Sequence, residues 1–243
     1  MVQEEKVELG EFENVLVIVA HPDDAEFMAG GTVAKFAAEG KTINYVLCTN
    51  GNKGSSDPEM TPDRLVAIRE REQRGACDVL GVKEIRFLGY EDGALRNTLE
   101  LRMDIAREIR RFQPDLIICQ SPHRPMGGRF LSHSDHRAAG DTAMDAIYPS
   151  SRDYHAFPQL IEEGFMPHKT LQVLVGMGGT DQANIWIDTS EVIETKINAL
   201  REHKSQIQDM EAMAERIRAG GFDLNPTHGF KHAEGFRYIQ LGN

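Results

Sequence analysis

Asn14-Val-Leu-Val-Ile-Val-Ala-His-Pro-Asp-Asp-Ala-Glu26 decides the fold. Its first seven residues are a largely β-branched apolar run, which predicts a strand buried on both faces of a parallel sheet rather than an alternating strand with one wet face. A helical pattern follows over about residues 25–39 and stops at Gly40, and a second strand is expected over 42–49. The segment therefore reads as a βαβ unit that carries His21-Pro-Asp-Asp24 in its first turn.

Outward from this unit the alternation continues. Residues 50–60, with Gly51, Gly54, Ser55, Ser56 and Pro58, are polar and turn-rich, and predict a mobile loop at the carboxyl end of strand two. Thr61-Pro62-Asp63 supplies a cap and a proline at the first helical position, opening a helix that runs to about Leu80 and is closed by Gly81. Further strands are expected over 84–88, 115–119, 170–176 and 184–188, with a short strand-like segment over 235–241. Helices are expected over 99–112, where Leu101, Ile105 and Ile109 share a face, and over 134–147. A long C-terminal helix is expected over 190–219, closed by Gly220-Gly221, with Asp209-Met-Glu-Ala-Met213 as a packing face or an oligomer contact. This order predicts one α/β domain over residues 1–243, Rossmann-like, with a mostly parallel central sheet and helices on both faces.

Composition bounds the chemistry. The 243 residues are 40% hydrophobic and 27% charged, which suits a globular chain with a single core. Lys plus Arg is 27 against Asp plus Glu 38, a formal charge of −11, so a general affinity for nucleic acid or an anionic membrane is disfavoured. Cys48, Cys77 and Cys119 are odd in number and widely spaced, and predict buried thiols in a reducing compartment. The first six residues are acidic and lead into no apolar segment, and the longest apolar run, over 15–20, is too short to span a bilayer. The expectation is a cytoplasmic protein with no stable membrane association.

The turn after the first strand is where a dinucleotide-binding fold carries glycines. Here it carries Asp23, Asp24 and Glu26, which would repel a phosphate, while Gly30-Gly31 lie inside the helix where they allow close packing on the sheet. Imidazole and carboxylate together favour a cation. The alternative is that Asp23 or Asp24 merely caps the helix and His21 is incidental. A second cluster, His133-Ser-Asp-His136, follows the fourth strand. In a 3-2-1-4 strand order, strands one and four adjoin at the switch point, so both clusters open into one crevice. His21, one carboxylate and one histidine of the second cluster would make a two-His, one-carboxylate site with open positions; separate surface histidines, or Fe(II) in a facial triad, remain alternatives. His123, His155, His168, His203, His228 and His232 lack comparable neighbours in sequence and read as structural or exposed.

Taken together, Ala20-His-Pro-Asp-Asp-Ala-Glu26 and His133-Ser-Asp-His136 resemble the LmbE-like family of N-acetylglucosamine de-N-acetylases, which includes the N-acetylglucosaminyl-phosphatidylinositol de-N-acetylases (PIG-L). Weaker matches run through Arg69-Glu70, Leu80-Gly-Val82, Gly89-Tyr-Glu-Asp-Gly93, Lys196 with His203-Lys-Ser-Gln206, and Ala233-Glu-Gly-Phe236. The resemblance implies one zinc ion per chain, or another divalent metal, held by His21, Asp24 and His136, with Asp23 as general base. It also implies that His133 stabilises the tetrahedral intermediate or protonates the leaving amine, with Asp135 as its orienting partner, and that Arg69 and Asp92 contact sugar hydroxyls. The activity implied is hydrolysis of a linear amide C–N bond, of EC 3.5.1 type: removal of acetate from a small molecule containing N-acetylglucosamine, by a homo-oligomeric enzyme. An amide hydrolase acting on a thiol conjugate and a catalytically silent sugar- or metal-binding homologue are the alternatives. The sequence departs from the family in two places: Ser134 replaces the usual proline, and Leu131 stands where some relatives carry a tyrosine that meets the reacting carbonyl. The loops over 50–60, 121–132 and 150–168 are expected to shape the pocket beyond the sugar.

Overall fold

The apolar run folds as β1 (Asn14–Val19), paired in parallel with β2 (Thr42–Thr49) on one side and with β4 (Leu116–Gln120) on the other. This computed structural model describes residues 7–124, 131–176, 183–220 and 229–242. The first six residues, part of the loop before His133, Gly221 and His228 are outside the described residues.

Seven strands form one sheet. With β3 (Glu84–Tyr90), β5 (Gln172–Gly176), β6 (Ile185–Asp188) and β7 (Ala233–Gln240), the order is β3-β2-β1-β4-β5-β7-β6. The expected 3-2-1-4 order is thus present. The sheet is parallel from β3 to β5, while β7 runs antiparallel to both β5 and β6.

Successive side chains of β1 feed opposite faces, as strand geometry requires. Val15, Val17 and Val19 pack with Ala29, Val33 and Phe36 of α1 (Asp24–Ala38) and with Ala76 and Leu80 of α2 (Pro62–Leu80). Leu16 and Ile18 pack on the other face with Leu101, Ile105 and Ile109 of α3 (Leu99–Phe112) and with Ala139 and Ala143 of α4 (Ser134–Asp145). Both faces of β1 are dry, which is why its sequence shows no polar alternation.

Local signals behave as their chemistry dictates. Thr61 accepts the N–H of Arg64, Pro62 opens α2, and Gly81 closes it at φ 77°. A methyl group on Gly31 would lie 2.7 Å from Thr189, so α1 packs as closely as expected. One on Gly140 would lie 2.2 Å from the carbonyl oxygen of Gln120, so α4 reaches the sheet only because that position has no side chain.

The C-terminal helix differs from expectation. Residues 190–219 form two helices, α6 (Ile193–Leu200) and α7 (Met210–Arg218), following the short α5 (Pro158–Glu162) and the strands β5 and β6. The break has a polar cause: His203 turns inward to Glu26, Ser205 is held through its N–H and Oγ by Glu72, and Asp209 caps α7 by accepting the N–H of Ala212. Met210 and Met213 pack, partly buried, against a cluster of Ile197, Leu200, Ala214 and Ile217, as the packing-face reading of this stretch expects. The fourth helix also ends two residues early, at Asp145, in a wide turn over Ala146–Ser150.

Candidate metal and catalytic site

Side chains from the two expected clusters meet beyond the carboxyl ends of β1 and β4. The strand ends are tied together: Gln120 Oε1 accepts the N–H of Ala20 at 2.9 Å, and the carbonyl of Ala20 accepts from Thr49. His21 follows directly, and Asp24 begins α1. On the other side His133 stands at the N-cap of α4, with Asp135 and His136 in its first turn.

The geometry is close. Asp24 bridges two imidazoles, with Oδ2 3.2 Å from His21 Nδ1 and Oδ1 3.0 Å from His136 Nε2, and its Oδ2 also accepts the His21 N–H at 2.7 Å. The rings of His21, His133 and His136 form a triangle with centroids 4.8, 5.2 and 5.4 Å apart. Their ring nitrogens make one compact set of potential metal ligands, and His21, Asp92 and Asp135 make another. His21 therefore uses its two nitrogens differently, Nδ1 toward Asp24 and Nε2 toward Asp92 at 3.1 Å and Asp135 at 3.3 Å.

A cation suits this set. Four carboxylates, of Asp23, Asp24, Asp92 and Asp135, converge here against the buried guanidinium of Arg69. Such a buried surplus of negative charge is costly unless a positive charge answers it. In the protein alone His21 answers part of it. Burial opposes a proton on His21, but the hydrogen bonds of Asp24 and Asp92 outweigh it and raise the pKa to about 10. Burial likewise pushes the Asp24 carboxyl up, yet His136 and His21 together hold it far below the ordinary carboxylate range. A divalent ion would take over from that proton, and imidazole plus carboxylate is donor chemistry that zinc-like metals accept.

Asp23 stands apart from its neighbour. Although it occupies the N-cap position of α1, its side chain makes no capping hydrogen bond, so the capping alternative does not describe it. Its backbone is left-handed, at φ 97°, and its carboxylate meets Arg69 Nη2 at 3.2 Å. Burial and the charge of Asp24 raise its pKa to about 7 against the opposing pull of Arg69.

Three of the expected site residues meet partners within the protein. Asp135 Oδ1 stands 4.0 Å from His133 Nδ1, beyond hydrogen-bond range, because the carboxylate accepts the Gly93 N–H at 2.6 Å and faces His21. His133 Nδ1 instead accepts the backbone N–H of Asp135 at 3.2 Å, which leaves the ring proton on Nε2. Arg69 is 4% exposed and its Nη donors go to the carbonyls of Gly51 and Pro22 and to Asp23. Asp92 is also buried, and its Oδ2 accepts the Lys53 N–H at 3.3 Å while Oδ1 meets His21. The loop over 50–60 stands where expected, pinned by Arg69 on Gly51 and by Gln206 Nε2 on Gly54.

Sequence reasoning passed over Gln73 and Gln120, while His203, expected to be structural or exposed, is buried and structural. Gln73 shares a face of α2 with Arg69, one turn away, and that spacing was the available signal. The contact of His203 could not be read from the sequence, since its partner Glu26 is far away in the chain.

Comparison with known proteins agrees with this architecture. Residues 16–147 match the model of the family described as PIG-L: GlcNAc-PI de-N-acetylase. The diacetylchitobiose deacetylase of Thermococcus kodakarensis is 33% identical over 227 residues, covering 93% of this chain and 82% of that protein. The 1D-myo-inositol 2-acetamido-2-deoxy-alpha-D-glucopyranoside deacetylase of Actinosynnema mirum is 29% identical, covering 79% of this chain and 80% of that one. Among solved structures, N,N'-diacetylchitobiose deacetylase from Pyrococcus horikoshii superposes with a TM-score of 0.84 at 29% identity, covering 95% of this chain and 85% of that one. The matched span exceeds half of the chain and contains both histidine clusters, and the chain belongs to the PIG-L family of de-N-acetylases.

Proposed function

We propose that this protein is a metal-dependent de-N-acetylase that releases acetate from a small molecule containing N-acetylglucosamine. The observation that carries the reading is the meeting of His21, Asp24 and His136 with a separate carboxylate, Asp23, and a separate imidazole, His133, beyond the carboxyl ends of β1 and β4. The relatives act on acetylated amino sugars by name, which gives the substrate class.

His21, Asp24 and His136 are the residues assigned to the metal, one zinc ion per chain. A divalent cation supplies Lewis-acid polarisation of the amide carbonyl and an acidified water. Asp23 accepts the proton of the attacking water, a task for which a carboxyl with a pKa near 7 is suited. The C–O bond forms as the carbonyl becomes a tetrahedral oxyanion, toward which His133 presents Nε2–H. The C–N bond then breaks, and the nitrogen leaves as an amine once the proton that Asp23 took from the water reaches it, while His133 Nε2–H stays on the oxygen. Leu131 is 75% exposed and has no polar side-chain atom, so among the residues assigned to the site the oxyanion contact falls to His133. Asp92 and Asp135 are assigned to hold His21, and Arg69 to hold Asp23, because that is where their polar atoms point.

The same reading takes residues 1–243 as one catalytic domain, working in the cytoplasm as a homo-oligomer. Three free, buried cysteines agree with a reducing compartment, and no helix among the described residues is long and apolar enough to cross a membrane. The test is acetate release by zinc-loaded and chelated protein across a panel of N-acetylglucosamine glycosides: free sugar, inositol, malate and chitobiose conjugates, with a thiol-conjugate amide beside them. Metal-dependent release from one glycoside is expected. Release from the thiol conjugate alone would transfer the activity to a different amide, and no release from protein holding one zinc would leave a binding role.

A further inference from the structure

The left-handed backbone at Asp23 is an unfavourable conformation for a residue with a side chain, and it persists only where surrounding contacts hold it. Those contacts form a buried chain. The N–H of Asp23 donates to Gln73 Oε1 at 2.8 Å, Gln73 Nε2 donates to Glu26 Oε1 at 2.9 Å, and Glu26 Oε2 lies 3.1 Å from His203 Nε2. Glu26, Gln73 and His203 are each 0% exposed, so no water substitutes for a missing link. The chain also fixes the amide: with Glu26 taking the NH2 end, the oxygen of Gln73 must face Asp23. One turn back on the same face of α2, Arg69 grips the Asp23 carboxylate. Helix α2 thus holds Asp23 at both its main chain and its side chain.

The geometry points to Gln73 as a positioning residue for the general base, with Glu26 and His203 locking its amide so that Asp23 stays in the left-handed conformation that turns its carboxylate toward the site. This rests on the role given to Asp23 above. A base displaced by about 1 Å costs on the order of a hundredfold in rate while leaving substrate binding nearly intact.

Gln73→Met keeps the bulk and removes the acceptor, whereas Gln73→Glu keeps an oxygen for the Asp23 N–H and can share a proton with Glu26. With metal content, KM and kcat measured on the glycoside the wild type turns over best, Gln73→Met is expected to hold one metal, keep KM within about threefold and lose about 10–100-fold in kcat. Gln73→Glu should recover most of that loss, which a merely structural role for Gln73 would not produce. If Gln73→Met does not fold, the comparison passes to His203→Ala against His203→Gln, the latter keeping a donor near the position of Nε2, with the same split in kcat. A wild type that releases acetate beside a Gln73→Met variant of equal kcat, or one altered in KM alone, overturns the positioning role and leaves the proposed activity standing. A wild type that releases no acetate overturns both.

Discussion

His21 Nε2 lies 3.1 Å from Asp92 Oδ1, and the far nitrogen of the same ring faces Asp24. A ligating histidine needs such a partner, because a carboxylate on one nitrogen sets the tautomer and the angle of the ring. Asp92 is buried and its second oxygen is held by the Lys53 N–H, so it is itself fixed. Asp92→Asn should therefore weaken metal affinity by about 10–100-fold, read by competition against a chromogenic chelator. Unchanged affinity with a raised KM would return Asp92 to the sugar-contacting role that the family resemblance implies.

Asp23 and Asp24 are adjacent but sit in opposite electrostatic environments, one with its carboxyl raised to about 7 by burial and by its neighbour, the other held low by two imidazoles. Asp23→Asn should keep stoichiometric metal and lose about 10²–10⁴-fold in kcat, the range for removing a general base. Asp24→Asn should lose metal first and activity with it. Metal analysis and acetate release on the same preparations separate the two, and a fully active Asp23→Asn variant would remove the assigned base.

Behind the site, Lys196 Nζ meets Glu234 Oε1 at 2.6 Å, and Glu234 in turn accepts the N–H groups of Gly31 and Thr32 in α1. Both side chains are buried, so removing one charge strands the other. Lys196→Met should destabilise by about 3–5 kcal/mol in denaturant unfolding, and adding Glu234→Gln should restore part of it. A double variant less stable than Lys196→Met alone would mean that Glu234 matters chiefly as the acceptor for α1 and that the ion pair contributes little.

The parts legible in the sequence were those written in local patterns. The run over 14–20 announced a central strand because both faces of β1 are dry, and the two histidine clusters were placed together by a strand order that the sheet adopts. The break after Leu200 was illegible because helical periodicity continues through it; what stops the helix is a buried bond from His203 to a residue of α1. The partners of Asp135 and Arg69 were hidden for a related reason. Asp135 is near His133 in sequence, but α4 turns its carboxylate toward Gly93 and His21, contacts that arise only once the loop after β3 is in place.

The bond between His203 and Glu26 gives the fold a pH dependence whose sign can be worked out. Burial opposes a proton on His203, but the hydrogen bond to Glu26 and the nearby charges of Glu26, Asp23 and Glu72 outweigh it, so its pKa is raised above the ordinary 6.5. A group whose pKa is higher in the folded than in the unfolded chain binds its proton more tightly when folded. Its stabilisation is complete below about pH 6.5, the unfolded value, and is lost as pH rises through the folded value. His203→Gln keeps a neutral donor toward Glu26 and abolishes the titration. Wild type should therefore exceed the variant in stability by the most at pH 6, by about 1.5–3 kcal/mol for a hydrogen bond to a charged group, and the gap should shrink steadily toward pH 9. Urea unfolding of both proteins at these pH values, with metal loading held equal, measures it. A gap that stays constant across the range would mean that His203 is neutral in the folded protein, and that Glu26 is held by hydrogen bonds alone.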